Sequence, residues 1–138
     1  MSRIYYMAGV WDLFHVGHLR AIQRARRIVG GEKLILGVVT DEHAYKYKKV
    51  YPIIPYWQRC EIVEALSLAD KVVGQYVQFS LGHMQGLGVG TVLLGADWKE
   101  RRPLHLQKME KEIEVIYLPR TADVSSSDIK NKILGKSV

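Results

Sequence analysis

Apolar residues in this chain fall into short blocks separated by stretches in which they recur every three or four positions. Ile4 to Met7 reads as a first buried strand. From Gly17 to Val29, the spacing of Leu19, Ile22, Ala25 and Val29 predicts a helix, which Gly30-Gly31 ends as glycines commonly do. Lys33 to Val39 is apolar, β-branched and short, as a second buried strand should be. Thr40 to Pro55 is polar and rich in Lys, Tyr and Pro, and is read as a loop. Tyr56 to Leu68 is helical, with Ile62, Val63 and Leu66 on one face. Lys71 to Val73 is a short strand, Gly82 to Val89 a short helix or turn, and Thr91 to Leu94 a buried strand ending at Gly95. Pro103 to Glu112 is a polar helix with Pro103 in its first turn. Glu114 to Leu118 is a last strand and Ser125 to Leu134 a last helix.

Strands and helices therefore alternate. That order makes right-handed βαβ units, hence an α/β fold with a parallel sheet and helices on both faces. No repeat, low-complexity tract or linker divides the chain, so residues 1–138 are read as one domain. Ligands of such sheets bind at the carboxyl ends of the strands. This directs attention to the segments just after them: Ala8 to His18, Thr40 to Pro55, Gly95 to Pro103, and Pro119 to Ser127.

Composition changes this picture only modestly. With 48% hydrophobic and 25% charged residues the chain can build a core. No apolar run reaches the roughly 18 residues of a membrane span, so no membrane insertion is expected. A single cysteine, Cys60, excludes an internal disulfide and a cysteine-based metal cluster. The N-terminus runs straight into a strand with no secretory segment, and the expected location is cytoplasmic. The formal net charge of +6 favours anionic partners: nucleic acid, a phospholipid surface or phosphorylated metabolites.

The first segment after a strand holds His15-Val16-Gly17-His18. Two histidines three apart at a helix start share a face and can aim imidazole N–H groups at one anion. The helix N-terminus adds unpaired backbone N–H groups and a favourable dipole. Gly17 lets a nucleotide approach without a Cβ in the way. Such a site stabilises phosphoryl oxygens as charge builds in a transition state. The alternative roles are capping, packing or zinc ligation. Zinc lacks a third His or Cys nearby, and no metal ligand is assigned within the protein. At the far end, Ser125 followed by Asp128 resembles a capping box, and the same serine-rich helix start offers hydroxyls and N–H groups to phosphate. Arg120 before it suits forked phosphate binding. Lys46-Tyr47-Lys48-Lys49 is a surface loop that becomes a phosphate clamp if it sits above the same sheet edge, with Arg59 in support. Asp97 can bind a base or ribose, or hold Mg²⁺ through water; Trp98 can stack on a base or merely pack.

Taken together and in order, these elements resemble those of the cytidylyltransferase-like nucleotidyltransferases, and of their glycerol-3-phosphate branch in particular. The matching stretches are Gly-x-Trp-Asp-x-x-His-x-Gly-His at 9–18, Thr-Asp-Glu at 40–42, Lys-x-Lys-Lys at 46–49, Arg59 after Pro55-Tyr56, and Gly-x-Asp-Trp at 95–98. Tyr-Leu-Pro-Arg-Thr-x-x-x-Ser-Ser-Ser-x-Ile-Lys at 117–130 completes the pattern, which covers nearly the whole chain. The resemblance implies a Rossmann-like fold, a homodimer, and transfer of CMP from CTP to a small phosphorylated alcohol with release of pyrophosphate and Mg²⁺ riding on the triphosphate. It implies that His15 and His18 stabilise the α-phosphate and that Val10 and Trp11 line the nucleotide pocket. Lys46 and Lys48 would contact acceptor and nucleotide phosphates. Arg120, Thr121, Val124, Ser125, Ser126 and Ser127 would wrap the nucleotide phosphates and base.

Three departures keep the substrates open. Val10-Trp11 stands where the family has Thr-Phe, Ala122-Asp123-Val124 replaces Glu-Gly-x, and between Lys71 and Lys99 the only basic side chain is His83. ATP with a sugar phosphate, FMN or phosphopantetheine is therefore the close alternative to CTP with glycerol 3-phosphate. A basic nucleic-acid-binding module is the distant one, since His-x-Gly-His also occurs in one class of aminoacyl-tRNA synthetases. Lys108-Met109-Glu110-Lys111 resembles their second motif only superficially, and the chain is too short for an anticodon-binding part, so nucleic acid is not expected as a partner.

Overall fold

The computed structural model describes residues 3–78, 80–119 and 125–136. Five strands, β1 (Ile4–Gly9), β2 (Lys33–Val39), β3 (Lys71–Gln75), β4 (Thr91–Gly95) and β5 (Glu114–Leu118), form one sheet in the order β3-β2-β1-β4-β5. Every neighbouring pair is parallel, with Tyr6 opposite both Ile35 and Val92, and Leu93 opposite Ile116. The strand order reverses between β1 and β4, so their carboxyl ends diverge into a crevice, the place where open α/β sheets bind ligands.

Among the described residues six helices connect the strands, α1 (Val16–Val29), α2 (Asp41–Lys48), α3 (Tyr56–Ala65), α4 (Leu81–Gly86), α5 (Asp97–Arg101) and α6 (Leu104–Glu110), and α7 (Ser126–Ile133) follows β5. The strands are buried on both faces, and their side chains alternate between two cores. Met7, Leu34, Leu36 and Leu93 pack with Ile22, Ala25 and Val29 of α1 and Val63 of α3. Tyr6, Ile35, Val92 and Leu94 pack with Met84 of α4 and Leu106 and Met109 of α6 on the opposite side. This alternation gives the expected parallel sheet with helices on both faces. Among the described residues no helix is long and apolar enough to cross a membrane.

Two helices depart from the expected layout. The segment expected as a loop from Thr40 opens with α2, capped by the Thr40 hydroxyl, which accepts the N–H of His43 at 3.2 Å. Asp41 and Glu42 occupy its first turn, where acidic groups favour the helix dipole. Only Ala44 of this helix is buried, so it has no apolar stripe to betray it. The short helix α5 begins two residues after β4 and likewise buries no residue. Strand β3 also runs on to Gln75, through Gly74.

Candidate active site

The loop from β1 to α1 is held in an unusual shape. Trp11 and Leu13 have φ of 57° and 49°, in the left-handed region that bulky side chains avoid. Asp12 between them is 4% exposed and anchors the turn. Its Oδ1 accepts the N–H groups of Leu13 at 3.0 Å and Ile54 at 2.9 Å, and its Oδ2 accepts that of Ile53 at 2.8 Å. Lys130 approaches to 3.6 Å. Burial alone would raise the Asp12 pKa, but these three donors and the lysine hold it below the usual carboxylate value. The Asp12 carbonyl also accepts the Ser126 hydroxyl at 2.6 Å, tying this loop to α7.

That loop delivers the histidines. His15 is the N-cap of α1, its Nδ1 accepting the N–H of Gly17 at 3.0 Å, while the His15 N–H donates to Nδ1 of His18 at 3.4 Å. The two rings stack with centroids 3.8 Å apart, and Trp11 meets the His18 ring edge-on at 5.4 Å. Because both Nδ1 atoms accept, the neutral rings carry their protons on Nε2. Nε2 of His15 is buried and has no partner among the described residues. Burial lowers the pKa of both rings; for His18, with the neighbouring His15 also pushing it down and Asp12 opposing, it falls to about 4. Both imidazoles are therefore neutral N–H donors at neutral pH, and the cationic role falls to lysine.

Two cavities open at the carboxyl ends of β1 and β4. One, of about 360 Å³, is lined by His15, Gly17, His18, Lys48, Asp97 and the three serines Ser125 to Ser127, among others. The other, of about 260 Å³, lies over the second core and is lined by Tyr6, Val10, Tyr47, Lys48, Gln75 and Trp98, with Val39, Val92 and Leu94. Lys48 and Gly95 line both, so the two cavities share a rim. Asp97 starts α5 and is the one carboxylate lining the histidine cavity among the described residues. Ser125 caps α7, its hydroxyl accepting the N–H of Asp128 at 3.0 Å, which is the first half of the expected capping box.

The structure thus gathers His15, Gly17, His18, Lys48, Asp97 and Ser125 to Ser127 around one cavity, and puts Val10 and Trp98 in the other. Trp11 lies beneath the site rather than in its wall: it is buried, and its Nε1 donates to the Gly37 carbonyl at 3.0 Å. Gly9 permits this, since a Cβ there would press on the indole at 2.7 Å. Lys46 is exposed on α2 and lines neither cavity. Arg59 is not a phosphate clamp. Its guanidinium is fully buried and donates to the carbonyls of Ile54, Val10 and Val39 and to Asp41 Oδ1, all within 2.8 Å. It pins the loops after β1 and β2 to α3, spending four of its five N–H donors inside the protein, and its fully buried side chain lines neither cavity. Arg120, Thr121 and Val124 lie outside the described residues. Sequence reasoning quoted Asp12 in the matched motif but gave it no role, and did not single out Tyr6 or Gln75; the signal for Gln75 was a lone amide closing a largely apolar strand.

The family model described as cytidylyltransferase-like matches residues 6–132. The chain is 34% identical over 124 residues to glycerol-3-phosphate cytidylyltransferase of Bacillus spizizenii, covering 88% of this chain and 90% of that one. It is 31% identical over 139 residues to the FAD synthase of Korarchaeum cryptofilum, covering 97% and 93%. In fold it matches the lipopolysaccharide core biosynthesis protein of Thermoplasma volcanium with a TM-score of 0.72 at 16% identity, over 88% of this chain and 99% of that one.

Proposed function

The chain belongs to the cytidylyltransferase-like family and is a nucleotidyltransferase of that kind; from this premise we propose that it transfers CMP from CTP to a phosphorylated alcohol such as glycerol 3-phosphate. The observation that carries the reading is the buried, unpartnered Nε2 of His15, stacked on His18 at the helix start beside the crevice of the sheet. The choice of CTP and of the acceptor rests on the likeness to glycerol-3-phosphate cytidylyltransferases over most of the chain.

An acceptor phosphate oxygen is already an anion at neutral pH, so no strong base is required. It attacks the α-phosphorus in line as the bond to pyrophosphate breaks, and no covalent enzyme intermediate forms. The work left to the protein is positioning and stabilisation of developing charge. Nε2–H groups of His15 and His18 donate to α-phosphate oxygens, the start of α1 adds its dipole, and Lys48 on the shared rim neutralises phosphate from either substrate. Serines 125 to 127 and the described start of α7 face the same cavity; with Arg120, Thr121 and Val124 they are assigned to the nucleotide. Mg²⁺ bound to the triphosphate supplies further charge neutralisation. One carboxylate with phosphate oxygens and water suits that ion, and Asp97 is the residue that would hold it.

A second reading, adenylyl transfer to FMN, is favoured by the lining of the other cavity. Tyr6, Tyr47 and Trp98 with Val39, Val92 and Leu94 suit a flat, largely apolar group, and among the described residues no carboxylate lines the cavity to bind a polyol. The FAD synthase relative points the same way. Purified protein with Mg²⁺ and either CTP or ATP, offered glycerol 3-phosphate or FMN, separates the two by pyrophosphate release. Release with CTP and glycerol 3-phosphate supports the first reading; release only with ATP sinks it; no release from any pair removes both.

The proposal includes a cytoplasmic homodimer. Trp57 of α3 is 63% exposed and Tyr76, just past the edge strand β3, is 70% exposed, a surface that a second copy would cover. Light scattering of the eluted protein at twice the chain mass supports it, and a monomer at micromolar concentration overturns it.

A further inference from the structure

We propose that Gln75 reads the non-phosphate part of the acceptor, with the Tyr6 hydroxyl fixing which way its amide faces. The proposal rests on the nucleotidyltransferase reading and gives the second cavity its role. Gln75 closes β3 at the carboxyl edge of the sheet and is 4% exposed, yet it lines that cavity. Its backbone is fixed, since its carbonyl accepts the N–H of Thr40 at 3.1 Å where α2 begins. Its side chain is fixed too: the hydroxyl of Tyr6, a residue 1% exposed, donates to Oε1. Space for that hydroxyl comes from Gly37 in the middle of β2, where any Cβ would collide with it. Three residues on three adjacent strands thus converge on one amide.

With Oε1 committed to Tyr6, the amide nitrogen is the group left to face the cavity that Gln75 lines. An amide donor held in one orientation on a largely apolar wall suits an oxygen supplied by the ligand, a hydroxyl or a carbonyl. Lys48 on the common rim holds phosphate toward the histidines, so the rest of the acceptor extends over Gln75. Tyr6 is then a positioning residue, since without its proton the amide is free to flip and present oxygen to oxygen.

The test compares wild type with Gln75→Glu, Gln75→Leu and Tyr6→Phe, using glycerol 3-phosphate and FMN as acceptors. Gln75→Glu keeps the oxygen that Tyr6 donates to but replaces the donor with a second oxygen and adds an ionisable carboxyl, whereas Gln75→Leu removes the donor without adding charge. Gln75→Glu should raise the acceptor KM about tenfold or more, leaving the triphosphate KM unchanged, because a site built to donate discriminates strongly once the donor is gone. Gln75→Leu should behave alike, and Tyr6→Phe should raise the acceptor KM about threefold. If Gln75→Leu fails to fold, the near-isosteric Gln75→Glu carries the comparison. An unchanged acceptor KM in an active Gln75→Glu variant overturns the proposal, and so does a parallel rise in both KM values. Calorimetric titration of each acceptor without nucleotide keeps the two readings apart. A wild type that binds an acceptor but transfers nothing fails the activity alone. Equal affinity in wild type and Gln75→Glu, or no binding of either acceptor to wild type, fails the assignment of Gln75.

Discussion

The His15 and His18 imidazoles stack face to face at 3.8 Å between centroids, and the Nδ1 of each accepts a backbone N–H from the first turn of α1 or its cap. The backbone thereby sets both tautomers, and each ring offers a single Nε2–H. A pair of like-oriented neutral donors this close is suited to the paired non-bridging oxygens of a phosphoryl group. In the transition state those oxygens gain charge, so the donors act most strongly there. His15→Ala and His18→Ala should each lower kcat about a hundredfold or more, with less than a threefold change in the triphosphate KM. Initial rates of pyrophosphate release give both constants. A large rise in KM with kcat unaltered would instead make the pair a ground-state binding device.

The neutral state of His18 makes stability depend on pH. Burial, reinforced by His15, puts its folded pKa at about 4, against 6.5 for an unperturbed imidazole. Between those values the unfolded chain takes up a proton that the folded chain refuses. Stability contributed by this group is fully present above pH 6.5, declines as pH falls toward 4, and levels off below. Urea midpoints for wild type should therefore drop between pH 7.5 and 4.5, and more steeply than those of His18→Gln, in which the titrating ring is gone. The comparison with the variant matters because the low-lying Asp12 carboxyl loses its own contribution only at still lower pH. Parallel curves for the two proteins would show that His18 titrates near its ordinary value.

Arg59 is the clearest case of a residue whose chemistry was visible and whose role was not. In the sequence it is one cation near phosphate-binding candidates. In the fold it is fully buried, spending its donors on Val10, Val39, Ile54 and Asp41. Arg59→Met should remove about 3–5 kcal/mol of stability, since it strands buried acceptors and leaves Asp41 unpaired. Chemical denaturation measures this directly. A loss below about 1 kcal/mol would mean that water replaces the guanidinium and that the loops after β1 and β2 do not depend on it.

The alternation of strands and helices was legible because buried parallel strands and the α1 face leave strong apolar periodicities, as in Leu34 to Val38 and in Ile22, Ala25 and Val29. The histidine pair was legible because its spacing alone places both rings at one helix start. Helix α2 was not, because its only buried residue is Ala44 and its lysines and tyrosines mimic a loop; the signals present were Thr40 as cap and the acidic pair behind it. Trp11 was assigned to the pocket by its neighbours in sequence. Its left-handed φ turns the indole inward onto Gly37, which no pattern of residue types discloses. Tyr6 and Gln75 look like ordinary strand residues until the sheet order places β1 and β3 on either side of Gly37.

The correction to α2 separates two lysines that sequence treated alike. Lys48 ends the helix and lines both cavities, whereas Lys46, two positions earlier on the same helix, points away from both linings and stays exposed. A cation on the shared rim meets the acceptor phosphate and the triphosphate at the moment they approach, where their mutual repulsion is greatest. Lys48→Ala should thus lower kcat/KM for both substrates about tenfold or more, and Lys48→Arg should recover part of it, since charge matters more here than shape. Lys46→Ala should stay within about twofold of wild type at physiological ionic strength, because an exposed cation outside the cavities is screened within a Debye length of about 8 Å. Measuring both variants at low and moderate salt adds a check. The Lys46→Ala effect should fade as salt rises, while that of Lys48→Ala persists. Equal losses for the two at every salt concentration would mean that α2 rotates when substrates bind and brings Lys46 into the site.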